Sequence, residues 1–238
     1  MAIETFNRTE IKYLLTTKQK DSLLSLLSQY MDCDKFNKNN KPYTICNLYL
    51  DTPADELIIR SLEKPIFKEK IRLRSYGPVS LSDTVFLESK KKYNKVVNKR
   101  RSSCSLEAAY NYFSTGVLPI CENSNLQVLK EIDHTMKFYK LKPKVFLSYD
   151  RFAFFEKNNS DFRVTIDQNI QTRRHNLDLQ IPPSGTQLLE KDQWLLEAKA
   201  FKSFPLWFVQ FLSEKNINCT SFSKYGTEYK KYTGAFYE

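Results

Sequence analysis

The sequence predicts an α+β fold, antiparallel strands with helices packed on their apolar faces. Two features point there: charged and apolar residues alternate with period two in several separate stretches, and amphipathic helical stripes lie between those stretches. The composition limits how phosphate could be held. Only five glycines occur in 238 residues, with no Gly-x-Gly-x-x-Gly and no Gly-x-x-x-x-Gly-Lys. A backbone phosphate cradle is therefore unsupported, and any bound phosphate must be gripped by side chains.

Taken in order, residues 6–15 read as a strand with Arg8, Glu10 and Lys12 on one face. A helix over Thr17–Met31 follows, its buried stripe formed by Leu23, Leu24, Leu26 and Leu27. Asp32–Pro42 reads as a loop, and Tyr43–Leu50 as a second strand. Thr52 and Pro53 suit the N-cap and first turn of a short helix to Leu62. Phe67–Tyr76 is the clearest strand: Lys70, Arg72 and Arg74 share one face, Ile71 and Leu73 the other, and Gly77-Pro78 ends it.

Thr84–Lys92 aligns Glu88, Lys90 and Lys92, Asn94 turns the chain, and Val96–Ser102 returns with Lys99, Arg100 and Arg101. Helices are expected over Ser105–Thr115, stopped by Gly116, and over Asn125–Leu141, stopped before Pro143. Strands over Lys144–Phe155 and Phe162–Asp167 form a hairpin through Asn158-Asn159-Ser160; they carry Tyr149 and Arg151, then Arg163, Thr165 and Asp167. His175–Gly185 is irregular, and a strand within Leu188–Ala200 aligns Glu197 with Lys199. Ser203 and Pro205 open a last helix with Trp207, Phe208, Phe211 and Leu212 as its apolar stripe; Ser223-Lys224-Tyr225 leads into a polar C-terminal segment. No linker divides the chain, so residues 1–238 read as one domain.

The apolar faces need cover, and the helices supply it. Two architectures satisfy this: an open sheet with charge to solvent, or a closed antiparallel barrel with helices outside and charge in the lumen. Arg72, Arg74, Arg151 and Arg163 favour the second, because a guanidinium fork suits bidentate phosphate recognition. So do Glu10, Glu88 and Glu197 on the same faces, since acids among bases are what a metal–polyphosphate site requires. A net charge of +10 favours anionic partners. The chain has no run of about 18 apolar residues. Met1–Thr5 leads directly into charged sequence, unlike a signal peptide, and five scattered cysteines fit a reducing cytoplasm.

Nine short motifs stand in order: Arg8–Tyr13, Tyr49–Thr52, Lys70–Arg74, Glu88–Lys90, Lys99-Arg100, Tyr149–Arg151, Arg163–Asp167, Leu196–Lys199 and Ser223–Tyr225. Together they resemble the vacuolar transporter chaperone (VTC) domain, the polyphosphate polymerase branch of the triphosphate tunnel metalloenzymes (CYTH-like superfamily). The resemblance implies a closed antiparallel eight-stranded β tunnel barrel with helices outside. It implies transfer of the ATP γ-phosphoryl group to a growing inorganic polyphosphate chain, with a divalent metal, manganese or magnesium, as cofactor. Lys90, Lys99, Arg151 and Arg163 would act on the transferring phosphoryl; Lys12, Arg72, Arg74, Lys199 and Lys224 would hold the triphosphate. Glu197 would hold the metal, with Glu88 and Glu10 as further ligands. Where tunnel phosphatases open with Glu-x-Glu-x-Lys, this chain has Arg8 and then Glu10, as in the polymerase-like branch.

Two rivals stand beside this reading: a triphosphatase of the same fold, and a non-catalytic polyphosphate or anion binder. Nucleic acid is not an expected partner, because the main basic cluster is expected inside the barrel; a membrane-associated partner protein is compatible with the resemblance. His134 and His175 are isolated, and the stripe around Trp207 and Phe211 reads as core. Tyr13, Tyr49, Tyr149 and Tyr225 either orient phosphate ligands or simply pack the barrel.

Overall fold

A computed structural model describes residues 5–6, 9–37, 41–94, 96–157 and 161–234. Among these residues the chain forms twelve strands and six helices. They run β1 (Thr5–Phe6), β2 (Thr9–Thr16), α1 (Thr17–Tyr30), β3 (Met31–Cys33), β4 (Tyr43–Asp51), α2 (Glu56–Leu62), β5 (Phe67–Tyr76), β6 (Thr84–Tyr93) and β7 (Val96–Ser105). Then come α3 (Leu106–Thr115), α4 (Leu126–Tyr139), β8 (Lys142–Glu156), β9 (Arg163–Arg173), β10 (Thr186–Gln187), β11 (Gln193–Ala200), α5 (Leu206–Glu214), β12 (Cys219–Thr220) and α6 (Lys224–Thr233). Arg8 and the Asn158–Ser160 connection lie outside the described residues.

All strands join one antiparallel sheet in the order β1-β7-β6-β5-β4-β8-β9-β11-β2-β12, with β3 on β8 and β10 on β9. The expected α+β class, with an antiparallel sheet, is present. The closed eight-stranded barrel is not. Eight long strands do run side by side from β7 to β2, but among the described residues no hydrogen-bonded ladder joins those two. Instead β7 is edged by the two-residue β1, and β2 by the two-residue β12. Short edge strands of this kind cap exposed backbone groups without completing a ring. The sheet nevertheless curls, since side chains from both ends of the strand order, Lys99 of β7 and Lys12 of β2 among them, line one cavity.

Register places the charged positions opposite one another. Arg72 faces Glu88, Lys70 faces Lys90, and Lys90 in turn faces Lys99. On the other side Lys12 faces Glu197, Glu10 faces Lys199, and Arg151 faces Asp167. Alternate residues turn outward. Ile71, Leu73 and Leu87 bury completely in a core with residues of α3 and α4; Val164, Ile166, Leu196 and Ala198 do so with Leu23 and Leu27 of α1 and Phe208 of α5. Each such aliphatic side chain contributes about 1.5–3 kcal/mol.

Helix boundaries are mostly where the sequence puts them. Ser105 caps α3, and Gly116 ends it in the left-handed region at φ 77°. Three expectations need correction. The second helix begins at Glu56, not Pro53: Thr52 Oγ1 accepts from Glu56 N, while the carboxylate of Asp51 accepts from Leu57 N and Ile58 N. Pro205, not Ser203, stands at the N-cap of α5. The polar C-terminal segment is itself helical. That helix, α6, does not lie on the outer face. Its Tyr225 and Tyr229 pack with Tyr49, Tyr149 and Leu147, and both Tyr49 and Tyr149 also line the interior.

Candidate active site

Inside the curled sheet lies a cavity of about 520 Å³, lined by side chains of β2, β4–β9, β11 and the start of α6. Every candidate site residue named from the sequence reaches it: Lys12, Arg72, Arg74, Lys90, Lys99, Arg151, Arg163, Lys199, Lys224, Glu10, Glu88 and Glu197. Period-two alternation accounts for this convergence, since one face of each strand turns to the lumen.

The charges sort into two clusters. In the first, Glu88 is 1% exposed and receives Arg72 Nε at 2.8 Å, Arg72 Nη2 at 2.7 Å and Lys99 Nζ at 2.9 Å, with Arg74 Nε at 3.7 Å. Burial alone would raise the Glu88 carboxyl, but these three cations hold it well below the usual carboxylate range. Arg72 also donates to Tyr49 Oη at 3.0 Å, and Arg74 donates to Asn47 Oδ1 at 3.0 Å. Both guanidinium planes are thereby fixed before any ligand arrives.

In the second cluster Glu197 has Lys224 at 2.9 Å, Lys199 at 3.2 Å, and Lys12 and Arg151 each at 3.8 Å. Burial opposes ionisation here too, and the four cations outweigh it. Glu10 shares two of those partners, Lys12 at 3.8 Å and Lys199 at 3.7 Å. Asp167 completes the cluster. Fully buried, it takes both Nε and Nη2 of Arg151 at 2.7 Å and Lys224 Nζ at 2.6 Å. Asp167 stood on a charged face in the sequence without a site role; its two-residue spacing from Thr165 and Arg163 was the available signal.

Between the clusters stand cations without a close acid. Among the described residues no carboxylate lies within 4 Å of Lys70 or Lys90. Burial is the largest cause pushing Lys70 down to about 8, with Lys90, Lys68 and Lys12 adding like-charge repulsion. Lys99 is likewise lowered to about 8, by burial first, against the pull of Glu88. Lys90 is lowered by burial and by Lys199, Arg72 and Lys12, although it remains open to lumen solvent. Arg101 is an addition to the residues expected at the site, two residues from Lys99 and so on its face; Lys70, expected on the charged face of β5 without an assigned role, reaches the cavity as well.

A divalent metal has a partial donor set. Among the described residues no three His, Cys, Asp or Glu side chains converge as a ready-made cage. Glu10 and Glu197 share Lys12 and Lys199 as partners, whereas Glu88 is held apart by Arg72, Arg74 and Lys99. Thr165 Oγ1, opposite Glu197 in register, is a buried oxygen with no hydrogen-bond partner among the described residues. These groups fit a hard cation that brings phosphate and water oxygens with it, as magnesium-type sites do, rather than an all-protein site.

A curled antiparallel sheet thus surrounds a bore lined by Arg and Lys, whose charge suits an anionic guest. Two solved structures share the fold. One is a proposed adenylate cyclase from Bacillus halodurans, 14% identical, TM-score 0.55, covering 90% of this chain and 92% of its own. Another is a proposed adenylyl cyclase from Hippeastrum with a dominant triphosphatase activity, 14% identical, TM-score 0.51, covering 96% of each chain. Residues 7–233 match the VTC domain, and the chain belongs to that family.

Proposed function

We propose that this chain is a polyphosphate polymerase. The terminal oxygen of a polyphosphate chain attacks the γ-phosphorus of ATP, the bond from that phosphorus to the β–γ bridging oxygen breaks, and the electron pair leaves with ADP. One observation carries this reading over hydrolysis. The bore is lined by eleven Lys and Arg side chains against three glutamates, with the buried Asp167 behind Arg151 and Lys224 as a fourth acid. A nucleoside triphosphate brings about four negative charges, which leaves cationic surplus for a second polyanion, the acceptor chain.

Arg72 and Arg74, held by Tyr49 and Asn47, grip the donor phosphates together with Lys12, Lys199 and Lys224. Lys90, Lys99, Arg151 and Arg163 stabilise charge as it spreads over the transferring phosphoryl oxygens. A manganese or magnesium ion would be held by Glu197 and Glu10 and would neutralise charge on the donor phosphates; Glu88, expected as a further ligand, is instead taken up by Arg72, Arg74 and Lys99. The setting we propose is the cytoplasm, with residues 1–238 acting as one domain.

The test is incubation with ATP and Mn²⁺, with products resolved on a gel. A ladder of long chains is the expected result; orthophosphate alone makes the protein a hydrolase, and neither product makes it a binder.

A further inference from the structure

The two faces of the cavity wall differ in a way that charge alone does not explain. Tyr76, the last residue of β5, and Tyr43, the first of β4, both line the bore. Yet Tyr76 is 43% exposed, and it stacks nearly parallel, 10° between planes and 5.9 Å between centroids, on Phe36, which is 52% exposed. Tyr43 closes the group, 6.0 Å from Phe36 and 6.2 Å from Tyr76. Phe86 meets Tyr76 edge-on at 6.0 Å and carries the Arg101 guanidinium at 4.8 Å. Arg163 lies close enough for Tyr43 and Tyr76 to affect its charge, and its Nε is a buried donor with no hydrogen-bond partner among the described residues. An aromatic cluster thus runs from the surface into an anion-binding bore, with two arginines beside it.

Exposed aromatic rings are costly to leave in water, and these border a bore lined with cations. A molecule with a planar apolar end joined to a chain of phosphates satisfies both halves of the surface. We propose that this mouth is a nucleobase subsite, with the base of the donor nucleotide stacking on Phe36 and Tyr76 and its phosphates running inward. Distances along β5 agree. At about 3.3 Å per residue, Arg74 lies roughly 7 Å and Arg72 roughly 13 Å from Tyr76, the span of an extended ribose triphosphate. The terminal phosphate then lies deepest, beside Arg72 and Glu88. The subsite rests on the polymerase reading only in supposing that a nucleotide is the donor.

The test is calorimetric titration of the whole chain with a non-hydrolysable β,γ-imido ATP analogue and, separately, with inorganic tripolyphosphate. Phe36→Ala and Tyr76→Leu are expected to weaken the analogue by about 5- to 100-fold and to leave tripolyphosphate unchanged. Tyr76→Phe, which keeps the ring, restores analogue binding. Equal losses for both ligands, or no loss for the analogue, overturn the subsite. A gel assay with ATP separates this from the function: selective loss without a polyphosphate ladder keeps the subsite and ends the polymerase, whereas a ladder without selective loss does the reverse.

Discussion

Glu88 is the residue on which one half of the bore depends. It is buried and serves Arg72, Arg74 and Lys99 together. Glu88→Gln keeps the shape and leaves three cations facing each other, so a loss of about 3 kcal/mol in unfolding free energy is expected without ligand. Tripolyphosphate should return more stability to the variant than to the parent, and denaturant titration with and without it measures both. An equal gain in the two proteins would disprove the account of Glu88 as a counter-charge. Lys70 and Lys99 give a pH prediction. Folded, they titrate at about 8, below the ordinary lysine value of about 10.4. The unfolded chain therefore binds more protons between those values, and their contribution makes the empty protein more stable as pH rises through that window. Anion binding needs the protonated form, so tripolyphosphate affinity should fall as pH rises past 8. Opposite slopes from thermal melts and calorimetry are the expected signature.

At the scale of elements, α6 deserves the closest test, because it delivers Lys224. Tyr225 donates to Asp51 Oδ2 at 2.8 Å, and Arg174 ties Glu228 of α6, at 2.7 Å, to Asp55, at 2.8 Å. Tyr225→Phe should cost about 1 kcal/mol and speed hydrogen exchange in α6 more than in α4. Asp51→Ala should cost more, since Leu57 N and Ile58 N lose their acceptor along with Tyr225. The strands were readable because alternation is local: Phe67–Tyr76 on its own specifies which side chains share a face. The capping of α2 was not, because Asp51 belongs to a strand and acts across a turn from outside the helix. Nor were β1, β10 and β12, whose two residues each are too few to show a period. The helix at 224–233 was hidden by a polar composition that buries only one face, Tyr225 and Tyr229 among it.

For the whole molecule, the +10 charge is directed inward at least in part: eleven basic side chains face one cavity. A flexible inorganic chain can thread such a bore, whereas a duplex of ~20 Å width, given grooves of about 12 and 6 Å, cannot. Long-chain polyphosphate should therefore displace bound tripolyphosphate and duplex DNA should not, in a competition experiment at fixed ionic strength. Comparable displacement by both would place the working cations outside. The convergence of those side chains followed from sequence faces and the family resemblance together. Where the ladders of the curled sheet end was invisible to both, because strand pairing at its two edges depends on the whole sheet, which no single strand encodes.

Glu88 and Glu197 already hold most of the cations that would grip a phosphate. A guest must exchange contacts there, whereas at Lys70 and Lys90 it meets cations without a close acid among the described residues. Sulfate or a nucleoside monophosphate offers too few charges to replace several partners at once, while each added phosphate in a chain displaces another. The bore thus sorts anions by valence more than by shape. Affinity should climb steeply from orthophosphate through pyrophosphate to tripolyphosphate, and a flat series in calorimetry would refute it.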